Sequence, residues 1–117
     1  MLRILGFALL VWLLPGAGPA AAHSELERAE PGAGSTARPA PREVAIWFTQ
    51  RLEPALSSIT VRNAAGQRVD AGPSQVSGNV IRVPLKAIGP GTYQVNWRVL
   101  SVDTHRTRGS FNFRVAE

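Results

Sequence analysis

Apolar and polar side chains alternate along most of this chain, and that leaves few folds open to it. "EVAIWF" places Val44, Ile46 and Phe48 on one face, "SITVR" places Ile59 and Val61, and "VIRVPL" places Ile81, Val83 and Leu85. In "TYQVNWRVL", Tyr93, Val95, Trp97 and Val99 point one way and Gln94, Asn96 and Arg98 the other, and "SFNFRV" sets Phe111, Phe113 and Val115 inward. A period of two is that of a half-buried strand. Between the runs lie turn signals, "PGAGSTARPAP", "NAAGQ", "AGPSQVSGN" and "IGPGT", rich in the residues that reverse a chain. No long helical period occurs, and Pro54 limits "RLEPALSS" to a turn. Short strands with turns and no crossover helices predict an all-β domain, an immunoglobulin-like antiparallel β-sandwich.

The N-terminal segment belongs to a different class. Arg3 precedes "ILGFALLVWLL", Ile4 to Leu14, an apolar block of about eleven residues that fits a signal-peptide core and falls short of the roughly twenty needed to span a bilayer. Pro15 and Gly16 follow, and Ala20 and Ala22 stand at the two small positions of an A-x-A cleavage site. Residues 1–22 are therefore expected to be a cleaved signal peptide and residues 23–117 the mature domain, exported and not membrane-anchored. Cleavage after Ala22 makes His23 the first residue, with a free α-amine beside its imidazole. Cleavage after Ala20 would instead leave "AAH", a terminus with an amine, amides and an imidazole, and the A-x-A rule favours the former.

The mature chain of about 95 residues bounds the answer to one small domain. With no cysteine, its core alone must hold the fold, and zinc-finger and thiolate sites are excluded. The single methionine is the initiator, which excludes a thioether site for copper(I). The net charge of +5 raises the possibility of a polyanionic partner. Arg62, Arg82, Arg98 and Arg114, however, alternate with apolar neighbours and read as the outward row of strands, so no nucleic-acid partner is expected.

The second histidine lies in "SVDTHRTRG", in the connection between the last two expected strands. On extended backbone Asp103 and His105 project to the same side, with Cα atoms about 6.5–7 Å apart, and Thr104 projects away. Joined to His23, they offer an amine, two imidazoles and a carboxylate. Three nitrogens and one oxygen in a tetragonal plane suit copper(II). Trp97, Phe111 and Phe113 fall in the inward phase and read as core. Arg106 and Arg108 flank the motif and could steer an acidic partner, and Gly109 is expected to let the loop return.

The series "HSELERAEPGAG", "APREVAIWF" and "GPGTYQVNWRVLSVDTHRTRGSFNFRV" resembles the CopC family of periplasmic copper-resistance proteins over essentially the whole mature chain, most specifically from Gly91 to Val115. That resemblance implies a Greek-key β-barrel or sandwich of cupredoxin-like topology and a copper(II) site at His23, Asp103 and His105. His23 would chelate through its amine and Nδ1, His105 would take the opposite imidazole position, and Asp103 would supply the fourth ligand. Two departures stand out. Gln50, in "FTQ", occupies the place where some members carry a glutamate near the metal, and a neutral amide is a poorer copper ligand. The methionine-rich copper(I) loop of other members is absent, which points to the copper(II)-only branch.

The expected function is that of a monomeric copper(II) carrier or buffer in copper homeostasis or resistance, not an enzyme, with a CopD-like membrane importer as candidate recipient. Two other readings are a histidine-brace copper oxygenase and a metal-free interaction module. The oxygenase needs an open coordination position and an aromatic substrate face, whereas Asp103 fills a position and the chain has one tyrosine.

Overall fold

A computed structural model describes residues 25–117 of the chain; the expected signal peptide and His23 lie outside the described residues. The strands are β1 (Leu26–Glu30), β2 (Thr36–Ala37), β3 (Glu43–Phe48), β4 (Ser58–Asn63), β5 (Gln75–Ser77), β6 (Val80–Pro84), β7 (Gly91–Leu100) and β8 (Arg106–Val115), with one 3-10 turn at Pro54–Leu56. They form two four-stranded sheets, β1-β3-β6-β5 and β2-β8-β7-β4. Pairing is antiparallel throughout except at β2, which runs parallel to β8. The β-sandwich expected from the alternation is thus present, with one parallel pair added where "STA" lies beside the end of β8.

Each alternating run delivers its apolar row to the space between the sheets. Val44, Ile46 and Phe48 from β3, Ile81 and Val83 from β6, and Val61, Val95 and Phe113 from the other sheet are all fully buried. Burial of this apolar area is the main force holding a sandwich that has no disulfide. Tyr93 stacks on Phe113 with ring centroids 5.5 Å apart, and Phe48 meets the edge of Trp97 at 5.2 Å. The Tyr93 hydroxyl donates to the Gly89 carbonyl at 2.7 Å, as in the tyrosine corner of immunoglobulin-like sandwiches.

Polar side chains close what the ladders leave open. β4 is an edge strand, and its outward N–H groups would invite pairing with another chain. The Ile59 N–H donates to the Ser74 hydroxyl at 2.9 Å and the Val61 N–H to Asp70 Oδ1 at 2.9 Å, so side chains cover that edge. Arg68 in turn holds the Asp70 carboxylate at 2.6 Å. Between β5 and β6 the turn is Gly78-Asn79, with Gly78 at φ +64, a conformation that costs glycine nothing. The Gly78 carbonyl accepts from the Leu52 N–H at 2.9 Å, and Asn79 donates to the Phe48 carbonyl at 2.7 Å.

Strand β8 begins earlier than the alternation suggested. Arg106 to Gly109 belong to the strand and pair with Trp97 to Leu100, so the connection spans only residues 101–105. Gly109 therefore does not serve a returning loop. It lies opposite Trp97, and a Cβ placed there would stand 2.6 Å from the indole. Gly109→Ala is expected to destabilise the domain by about 1–3 kcal/mol through overpacking; urea unfolding followed by tryptophan fluorescence checks it, and an unchanged midpoint would show that the ring shifts freely.

Candidate metal centre

The candidate residues Asp103 and His105 sit on the turn that joins β7 to β8. The Ser101 N–H donates to the His105 carbonyl at 3.0 Å, and the Thr104 N–H donates to the Ser101 carbonyl at 2.8 Å. These bonds close a tight hairpin over Val102, Asp103 and Thr104. Thr104 has φ 73, a left-handed conformation that costs an L-residue with a Cβ roughly 1–2 kcal/mol and is unusual for a β-branched one. Asp103 and His105 thus converge across a turn, not along extended backbone as their spacing suggested. The tightness of the reversal brings the two side chains together.

Ser101 organises the pair. The alternation of β7 continues through it, Val99 and Ser101 both facing inward, and Ser101 is fully buried. Its hydroxyl donates to Asp103 Oδ1 and accepts from the His105 N–H at 3.3 Å. Asp103 Oδ1 in turn lies 3.2 Å from His105 Nδ1, with the two side chains 38% and 43% exposed. The Ser101 hydroxyl holds the Asp103 carboxyl below its ordinary range; partial burial opposes this, and His105 adds to the lowering through its ring, its N–H and its charge. Ser101 was not a candidate in the sequence, although its parity with Val95, Trp97 and Val99 marks it as inward.

A donor pair 3.2 Å apart fits one metal ion. Two ligands each about 2.0–2.1 Å from an ion and at right angles to each other stand roughly 3 Å apart. Among the described residues no third His, Cys, Asp or Glu joins them. The described chain begins at the same end of the sandwich. The Glu25 N–H donates to the Thr49 hydroxyl at 3.0 Å, the Thr49 N–H donates to the Glu25 carbonyl at 3.0 Å, and the Val102 N–H donates to the Arg51 carbonyl at 2.9 Å. Leu52 and Ser101 form a bridge. Gln50, half-buried, lies in the middle of this short stretch.

Of the other residues singled out in the sequence, Trp97 faces inward against Phe48, Phe113 is fully buried and Phe111 half-buried. Arg106 and Arg108 leave the turn on β8 and are exposed. No helix among the described residues is long and apolar enough to cross a membrane.

Comparison with known proteins bears on this arrangement. The CopC domain model matches residues 26–116. The chain is 34% identical over 103 residues to copper resistance protein C of Xanthomonas campestris pv. juglandis, covering 80% of each chain. It is 29% identical over 100 residues to the copper transport protein CutJ of Bacillus subtilis, covering 82% of this chain and 18% of that protein. Among solved structures it resembles CopC from Methylosinus trichosporium OB3b, with a TM-score of 0.75 at 30% identity, over 80% of this chain and 94% of that one. PcoC, a methionine-rich copper resistance protein from Escherichia coli, has a TM-score of 0.71 at 26% identity, over 80% and 99%.

Replacing Ser101 by alanine removes the bond that most lowers the Asp103 carboxyl. A carboxyl whose folded value lies below its unfolded one adds stability that is complete above the unfolded value, about 3.9, and is lost as pH falls through the folded value. In metal-free Ser101→Ala protein the Asp103 midpoint, followed by carboxyl-carbon NMR, is expected to rise toward the ordinary range. An unmoved midpoint would assign the shift to His105.

Proposed function

This chain belongs to the CopC domain family, and from that premise we propose that it is an exported, soluble copper(II) carrier whose site is completed by His23 once cleavage after Ala22 frees its amine. The observation that carries the reading is the 3.2 Å separation of Asp103 Oδ1 and His105 Nδ1, the spacing of adjacent ligands on one ion, on a turn bonded to the stretch that also holds Glu25. His23 is two residues before Glu25 in the chain, and two residues extend at most about 7 Å.

The donor chemistry supports copper(II) in particular. An amine, two imidazoles and a carboxylate form a tetragonal set of nitrogen and oxygen, and no cysteine or mature methionine offers a soft ligand. The amine and Nδ1 of His23 chelate, His105 takes the opposite imidazole corner, and the negative charge of Asp103 offsets part of that of the ion. The Ser101 bond keeps Asp103 ionised and fixed in direction, as outer-sphere partners of metal ligands do. Gln50 lies near the same end as a neutral amide and is not assigned as a ligand.

Carriage, as opposed to catalysis, follows from a donor set that fills the plane and from half-exposed ligands at one tip of the sandwich, where a recipient can reach the ion. The recipient of the ion in this reading is a CopD-like membrane importer. The compartment is periplasmic and the carrier monomeric.

Copper(II) titration and electron paramagnetic resonance test the site on three secreted proteins: one beginning at His23, one with an extra N-terminal alanine, and His105→Ala. One tetragonal copper(II) per chain is expected in the first, weakened by more than about 100-fold in the others, beyond the range for losing an outer-sphere partner. Binding should also weaken as pH falls below the amine range of about 7.7–8.0, since copper displaces that proton. Equal binding by all three proteins would refute the site.

A further inference from the structure

The outer face of the β2-β8-β7-β4 sheet has an unusual charge pattern. Register places its outward residues in cross-strand rows: Leu100 with Arg106; Ser58, Arg98 and Arg108; Thr60, Asn96 and Ser110; Arg62, Gln94 and Asn112; then Thr36, Thr92 and Arg114. No carboxylate occurs in any row, and three of the five arginines fall in the two rows nearest the metal turn. Arg98 and Arg108 stand directly opposite each other, an arrangement of like charges that weakens a sheet. Among the described residues none of Arg98, Arg106 and Arg108 is ion-paired. On the other sheet the same residue type is accommodated: Arg82 pairs with Glu43 at 2.8 Å, and Arg28 lies 3.8 Å over the Trp47 ring.

The large exposed apolar side chains lie at this same corner. Leu56 is 56% exposed and Val102 46%. Leu56 lines an open depression of about 360 Å³ together with Arg98, Arg106, Thr107 and Arg108. A larger depression of about 590 Å³ adjoins it, lined by Ser58, Thr60, Asn96, Arg98, Arg108 and Ser110 among others. Apolar anchors flanked by arginines are the composition of protein interfaces. Arginine's planar fork matches a carboxylate in two bonds. Trp97, the one aromatic side chain lining these depressions, packs against Phe48 and over Gly109 instead of standing outward for nucleic-acid bases to stack on, and the rows include no amphipathic helix to lie in a lipid surface.

We propose that this corner docks an acidic surface of a partner protein, with Arg98, Arg106 and Arg108 taking its carboxylates and Leu56 and Val102 taking an apolar side chain beside them. Docking here sets the partner directly against the turn that carries Asp103 and His105. The docking stands on the metal-free surface; its use in copper delivery rests on the copper reading. A carboxylate between Arg98 and Arg108 turns their mutual repulsion into a bidentate clamp, so the strain of the unliganded face becomes specificity for its partner.

The test uses the secreted protein without metal, so that failure of the copper site leaves it intact. A glutamate- and leucine-rich synthetic peptide is titrated against it by amide NMR, beside its glutamine counterpart, inorganic phosphate, and phosphatidylglycerol vesicles in phosphatidylcholine. The expected result is a set of shifts confined to Leu56, residues 98–102 and residues 106–108, with affinity falling as salt rises. The double variant Arg98→Ser/Arg108→Ser, whose fold is checked by its unchanged spectrum elsewhere, should lose more than about tenfold in affinity. Leu56→Asp, at an exposed position, should lose affinity as well, and Arg28→Ser on the opposite sheet should lose none. Shifts elsewhere or nowhere, equal binding of the glutamine peptide, or full affinity in the double variant would each overturn the proposal. Tighter binding of phosphate or vesicles to the same residues would also overturn it, by making the face a phosphate or lipid site.

Discussion

The continuous pairing of β7 with β8, from Gly91 against Val115 to Leu100 against Arg106, is the constraint on which the rest depends. Since side chains alternate faces, one register decides three things together. It sends Tyr93, Val95, Val99, Phe113 and Val115 into the core, it sets Arg98 against Arg108 outside, and it leaves only residues 101–105 to reverse the chain. A slip of one residue would exchange the arginine face with the core. Trp97 opposite Gly109 helps to prevent such a slip, because the indole lies where any other side chain would stand.

The turn that carries Asp103 and His105 is fixed by contacts that lie outside it. Its hydroxyl at Ser101 is buried, its backbone is bonded to Arg51 and bridged to Leu52, and the preceding Leu100 N–H donates to the Ser57 hydroxyl at 3.1 Å. The connection between β3 and β4 therefore holds the hairpin tip. The strained conformation of Thr104 persists because these neighbours over-determine it, and it is a cost borne where the Asp103 and His105 side chains meet.

The legible and illegible parts of the sequence divide along physical lines. β3, β4, β6 and β7 could be read because one face of each is buried and the alternation records it. β1 could not, since in "LERAE" only Ala29 is buried and the strand owes its existence to pairing with β3. β2 and β5 are too short to show a period, and the polar start of β8 reads as loop until its partner's hydrogen bonds are known. Asp103 and His105 were visible by spacing and do meet, but the left-handed Thr104 was not visible, because threonine is among the residues least expected there. The arginines could be assigned outward one by one; that they share a face with one another and not with any acid appears only once the strands are ordered. His23 lies outside the described residues, and its place at the site stays with the proposal.

The stretch from Thr49 to Leu52 touches the first described residue on one side and the turn that carries Asp103 and His105 on the other. It is a common post to which two parts of the chain remote in sequence are tied by hydrogen bonds. The side chain at position 50 can be exchanged without disturbing the strand pairs that build the core, because Gln50 lies outside every strand of both sheets.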